Sequence, residues 1–137
     1  MSARQSIADK MTADATLMAL LTGGVYTRPQ LTPAVNEAPF DAVGRMLPAA
    51  LVRQETVAAT GPRQRFDRVF VLVFFYDATG YATIDQAMDR TRVLLHEWRP
   101  GGSAYEVRHT DDVTDQYDDA LLAFMHRSRF EFTRLRG

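Results

Sequence analysis

The sequence predicts an α+β domain: a mainly antiparallel sheet of about four strands packed with two main helices, in the order α-β-β-α-β-β. Three observations predict it. Val69–Tyr76 is an unbroken apolar and aromatic run, too short for a membrane helix and suited to a central strand. Between Tyr81 and Trp98, the residues Ile84, Ala87, Met88, Thr91, Leu94, Leu95 and Trp98 recur at helical spacing. Near the C-terminus, Ser128, Phe130 and Phe132 alternate with Arg127, Arg129, Glu131 and Thr133, the two-residue period of a strand with one dry face.

The elements follow in order. Ser2 or Ala3 to Leu21 is expected as one helix, because Ile7, Met11, Ala15, Met18 and Leu21 share a stripe and Gly23-Gly24 stops it. Val25-Tyr26-Thr27 reads as a short extended piece. Pro29, Pro33 and Pro39 mark a long loop reaching Pro48, with a helical turn or two within Phe40–Met46. Ala49–Val57 alternates as a strand, with Leu51, Arg53, Glu55 and Val57 on one side and Val52, Gln54 and Thr56 on the other. The turn-forming tract Ala58–Arg65 joins it to Phe66–Tyr76 as an antiparallel hairpin. Helix Tyr81–Trp98 ends at Pro100-Gly101-Gly102. Tyr105–His109 reads as a short strand, Asp111–Asp119 as an acidic loop, and Leu121–Leu135 as the last strand.

Residues 1–137 are expected to form one domain, since two cores at this length would each bury too little surface. The Val69–Tyr76 strand does not alternate, so both of its faces need cover. Helix Tyr81–Trp98 is expected on one face, and the first helix or a neighbouring subunit on the other.

Composition narrows the function classes. A formal net charge of -1 supplies no overall field toward nucleic acid or anionic lipid. No cysteine is present, which removes disulfides and thiolate chemistry and suits a reducing compartment. The N-terminal stretch carries acids and lacks a long apolar core, so no signal peptide is expected and the chain reads as soluble and intracellular when made. Of the 16 cationic residues only Lys10 is a lysine. A GC-rich genome explains that bias; the rival explanation is arginine's suitability for protein interfaces.

Signals of catalysis are poor, and no catalytic, cofactor-binding or metal residue is assigned. Neither Gly23-Gly24 nor Gly101-Gly102 has a phosphate-loop context, and no Gly-x-Ser-x-Gly elbow occurs. His96, His109 and His126 fall on different elements without a paired ligand spacing. Asp111, Asp112, Asp115, Asp118 and Asp119 offer oxygen ligands for calcium, but the central glycine and closing glutamate of an EF-hand loop are missing. A solvated turn, or a charged rim facing another subunit's arginines, is the plainer reading.

Arg63, Arg65 and Arg68 cluster at the hairpin tip. Only Phe66 interleaves with them, too little to stack bases, so a protein partner fits better than nucleic-acid reading. The mixed row Arg127, Arg129 and Glu131 needs a wet face or a partner. Together with Asp111, Asp112 and Asp115, these six residues form the candidate interface.

Several phrases carry a resemblance. "ALLTGGVYTR", the proline loop, "LPAALVRQETV", "VFVLVFFYDATGY" with its following helix, and "FMHRSRFEFTRLRG" together resemble the small tail-terminator and head–tail joining proteins of long-tailed bacteriophages. The resemblance spans most of the chain and rests on order, length and texture. It implies a structural, non-enzymatic virion protein that forms a hexameric ring on the head-proximal end of the tail tube. It also implies contacts with the tail tube protein and a head-side connector or stopper, DNA passing through the lumen, and no membrane or cofactor. Another neck component, a stopper or adaptor, is the near alternative, and a small ligand-binding or enzymatic module the distant one.

Overall fold

The computed structural model describes residues 2–33 and 37–136. The expected first helix is two: α1 (Ala3–Thr12) and α2 (Ala15–Leu20). Asp14 causes the break. Its carboxylate accepts from the Leu17 N–H at 2.8 Å, capping α2 as Ser2 caps α1 through the Gln5 N–H. An aspartate that satisfies a new helix start competes with continuation of the old one. Of the expected stripe Ile7, Met11 and Leu21 are buried, Met18 is half-buried and Ala15 is exposed, while Leu17, outside that expected stripe, is buried.

Strands β1 (Gly24–Tyr26), β2 (Ala49–Thr60), β3 (Phe66–Asp77), β4 (Arg108–Asp118) and β5 (Ala123–Leu135), with helix α3 (Ala82–Leu95), complete the order. They form one five-stranded sheet, β1-β2-β3-β5-β4. β1 pairs parallel with β2, and every other pair is antiparallel. The sheet therefore has one strand more than the sequence predicts, because the short extended piece joins it. Gly23 makes that approach possible: a Cβ there would sit 2.9 Å from the Pro48 carbonyl oxygen.

The inner face of the sheet is dry. Val69, Val71, Val73 and Phe75 of β3 pack with Ala50, Val52, Phe130 and Phe132 beneath Ile7, Leu17 and Ile84 of the three helices. Each such valine or phenylalanine side chain contributes roughly 1.5–3 kcal/mol on burial. All three helices thus lie on one side, and α1 does not cover the second face as expected. On that outer face Leu31, Phe40 and Met46 from the proline loop cover only the end at Leu51 and Tyr76. Residues 34–36 of that loop lie outside the described residues. Phe70, Leu72 and Phe74 are half-buried there, so β3 does alternate in exposure although its sequence does not.

Two corrections concern register. A bulge at Glu55 shifts the β2–β3 pairing, so Val57 sits opposite Val69 on the inner face and Thr56 opposite Phe70 on the outer one. The expected alternation is inverted beyond that point. Pairing continues to Thr60↔Phe66, leaving a tip of only residues 61–65. Second, the acidic stretch is no loop but most of edge strand β4. Aspartates are tolerated on an edge because one side of the strand stays in water.

Candidate interaction surface

Five of the nine candidate residues meet on the outer face. Arg68 of β3 reaches Glu131 of β5 at 2.7 Å. Arg129 of β5 donates from Nε to Glu55 at 3.0 Å on one side and approaches Asp111 of β4 at 4.0 Å on the other. Arg127 donates to Asp111 at 2.9 Å. The two-residue period of β5 puts Arg127, Arg129 and Glu131 on this face, and the bulge in β2 turns Glu55 toward Arg129. The result is an acid–base lattice across four strands.

Beneath it lies Phe70. The Arg129 and Arg68 guanidinium carbons stand 4.2 and 5.0 Å from its ring centroid. Sequence reading missed both Phe70 and Glu55 as parts of this surface. Glu55 had a signal, since alternation placed it beside Arg53, but nothing in the sequence paired it with Arg129 across two strands.

The other four candidates go elsewhere. Asp112 points inward, accepting from the Ser128 hydroxyl at 2.7 Å and pairing with His109 Nε2 at 2.8 Å. Here the carboxylate stands between serine and imidazole, so neither activates the other; the trio ties β4 to β5. Asp115 occupies the second bulge of β4 at φ 58. Arg63 and Arg65 are exposed on the hairpin tip, apart from the lattice. Because Asp111 and Asp112 face opposite ways, the five carboxylates do not converge. Among the described residues no group of three His, Asp or Glu is placed to hold a metal ion.

A buried polar cluster lies behind the same edge. His126, wholly enclosed, accepts at Nδ1 from the Asp115 N–H at 3.1 Å and stacks on Tyr81. The Tyr81 hydroxyl donates to the Gln116 carbonyl at 3.1 Å. At the start of α2, Arg90 of α3 grips the capping Asp14 through two bonds of 2.8 and 2.9 Å. That hydrogen-bonded guanidinium, with the Leu17 N–H, lowers the Asp14 carboxyl to about 2. Burial, with the Asp118 charge nearby, pushes Tyr76 up to about 12.

The class this fold defines is an α+β protein with a mixed five-stranded sheet, helices on one face and a charged lattice on the other. Among solved structures, a chain of the "Virion of native gene transfer agent (GTA) particle" is similar, with a TM-score of 0.71 at 17% identity over 99% of this chain and 96% of that one. At that identity the likeness is one of fold. No family model matches the chain, and no curated protein matches it. Among the described residues no helix is long and apolar enough to cross a membrane.

Proposed function

We propose that the chain is a structural protein of a phage-like virion, forming a ring at the head-proximal end of the tail tube that ends tube polymerisation and docks the head connector. The observation that carries this reading is the likeness to the gene transfer agent virion chain, which spans nearly the whole of both chains. The surface supports it: the half-buried outer face, with Phe70 under paired arginines, suits contact with a protein. In a cyclic ring two different patches of each subunit meet its two neighbours. The further partners on this reading are the tail tube protein on one rim, a head-side connector or stopper on the other, and DNA passing through the lumen.

Deleting the gene from a particle-producing strain tests it. Overlong tails and unjoined heads are the expected products; tails of normal length still joined to heads overturn the role.

A further inference from the structure

The two ends of the sheet complement each other. At one end, beside the β2–β3 tip, a shallow cleft of about 430 Å³ is lined by Phe66 and Tyr105 and by two ion pairs, Arg68 with Glu131 and Arg108 with Glu106. Its floor is aromatic, the Phe66 and Tyr105 rings standing 6.1 Å apart, and Tyr105 is half exposed. Arg63 and Arg65 project beside it and enter no ion pair among the described residues. At the other end the β4–β5 turn carries Asp118 and Asp119, with Asp115 one bulge away, and none of the three is in an ion pair among the described residues. Leu122 stands at the tip of that turn, 67% exposed and held at φ 52. A bulky side chain in the left-handed region is strained within the monomer, and this one stands open to a partner.

We infer that Leu122 and its flanking aspartates seat in the arginine-flanked aromatic cleft of a second copy of this chain. Protrusion meets groove, apolar tip meets aromatic floor, and unpaired carboxylates meet unpaired guanidiniums. One chain cannot satisfy itself. The two ends are separated by the length of β3, whose register runs from Thr60↔Phe66 at the cleft to Asp77↔Phe124 at the turn, a span of roughly 36 Å. The contact is heterologous, and each copy keeps one unfilled end until the set closes. This rests on the ring reading above and assigns its subunit contact.

Two broken chains test it. Arg63→Asp with Arg65→Asp reverses the unpaired charge beside the cleft, and Leu122→Asp with Asp119→Arg removes the knob; aspartate tolerates the left-handed backbone at 63 and 122. In sedimentation at increasing concentration the unaltered chain is expected to associate and each variant to remain monomeric. An equimolar mixture of the two variants is expected to form a one-to-one complex and stop there, because one good cleft and one good knob remain. Far-UV circular dichroism checks that both fold. Should a double variant not fold, Leu122→Asn and Arg65→Gln take its place, each weakening association about tenfold. An unaltered chain that stays monomeric, variants that associate like it, or a mixture without a complex overturns the inference. Variants that associate normally while the gene deletion still yields overlong tails overturn the contact and leave the ring reading standing.

Discussion

His126 Nε2 on β5 and Asp85 Oδ1 on α3 stand 2.5 Å apart. The other ring nitrogen accepts from the Asp115 N–H, so Nε2 carries the proton and donates it to the carboxylate. One imidazole thereby fastens the helix layer to the bulge of the edge strand. His126→Phe keeps a ring against Tyr81 but removes both hydrogen bonds, leaving the Asp115 amide without its partner and the exposed Asp85 carboxylate to water. We expect a loss of about 1–3 kcal/mol in chemical denaturation. Amide exchange at Asp115 should quicken by more than that at the inner residues of β3; equal acceleration at both would count against the fastening role.

Asp14 gives the fold a defined acid response. Its carboxyl is lowered to about 2 in the native state, chiefly by the hydrogen-bonded Arg90, against 3.8 ordinarily. A depressed carboxylate contributes stability that is complete above its unfolded value and disappears as pH falls from about 4 to about 2. Asp14→Asn should therefore flatten the stability curve in that window and leave its shape between pH 5 and 8 unchanged. A variant curve parallel to the parent's between pH 4 and 2 would refute the assignment.

Arg129 separates surface chemistry from folding. Arg129→Ala removes its contacts with Glu55 and Asp111 and uncovers Phe70. The pairs are partly exposed, so the cost should be roughly 1–2 kcal/mol, with the ionic share shrinking as salt is raised. Thermal denaturation at low and high salt measures both parts. A much larger loss, insensitive to salt, would mean that the lattice holds the sheet together.

Gly23→Ala addresses the junction of β1 with the sheet. The new Cβ would meet the Pro48 carbonyl oxygen and the Pro39 Cβ at 2.9 Å, while the Gly23 N–H donates to that same carbonyl at 2.7 Å. Backbone has to move. We expect roughly 1–3 kcal/mol of destabilisation by denaturant titration, with exchange protection lost first at Val25 and Tyr26. Wild-type stability would show that β1 docks more loosely than its register implies.

Periodicity made part of this architecture legible in advance. Phe130 and Phe132 against Arg129 and Glu131 gave the faces of β5, and Ile84, Ala87, Met88, Thr91 and Leu95 gave the buried stripe of α3. What periodicity hid were the irregularities. A bulge leaves no compositional mark, so Thr56 and Val57 were assigned to the wrong sides, and a run of aspartates gave no hint that Asp111 and Asp112 would serve opposite faces. The break at Asp14 had a sign, a capping residue before an apolar turn, which the continuing stripe of Ile7, Met11 and Met18 outweighed. The outer lattice was legible in β5 alone. Glu55 and Phe70 entered it through cross-strand neighbours some 60 to 75 positions away in sequence, a separation no local pattern encodes.

The margins of the sheet bear on how unassembled copies stay apart. One margin is β1, three residues long, continued by residues 52–60 of β2 with their bulge at Glu55, and the other is β4, kinked twice and strewn with aspartates. Bulges interrupt both margins, and the aspartates of β4 add charge, which hinders a foreign strand from zipping on along the full length of either, the usual beginning of fibrous precipitation. Unassembled copies should therefore resist cross-β stacking most at the β4 rim, leaving the short stretch of β2 beyond its bulge as the weaker point of defence.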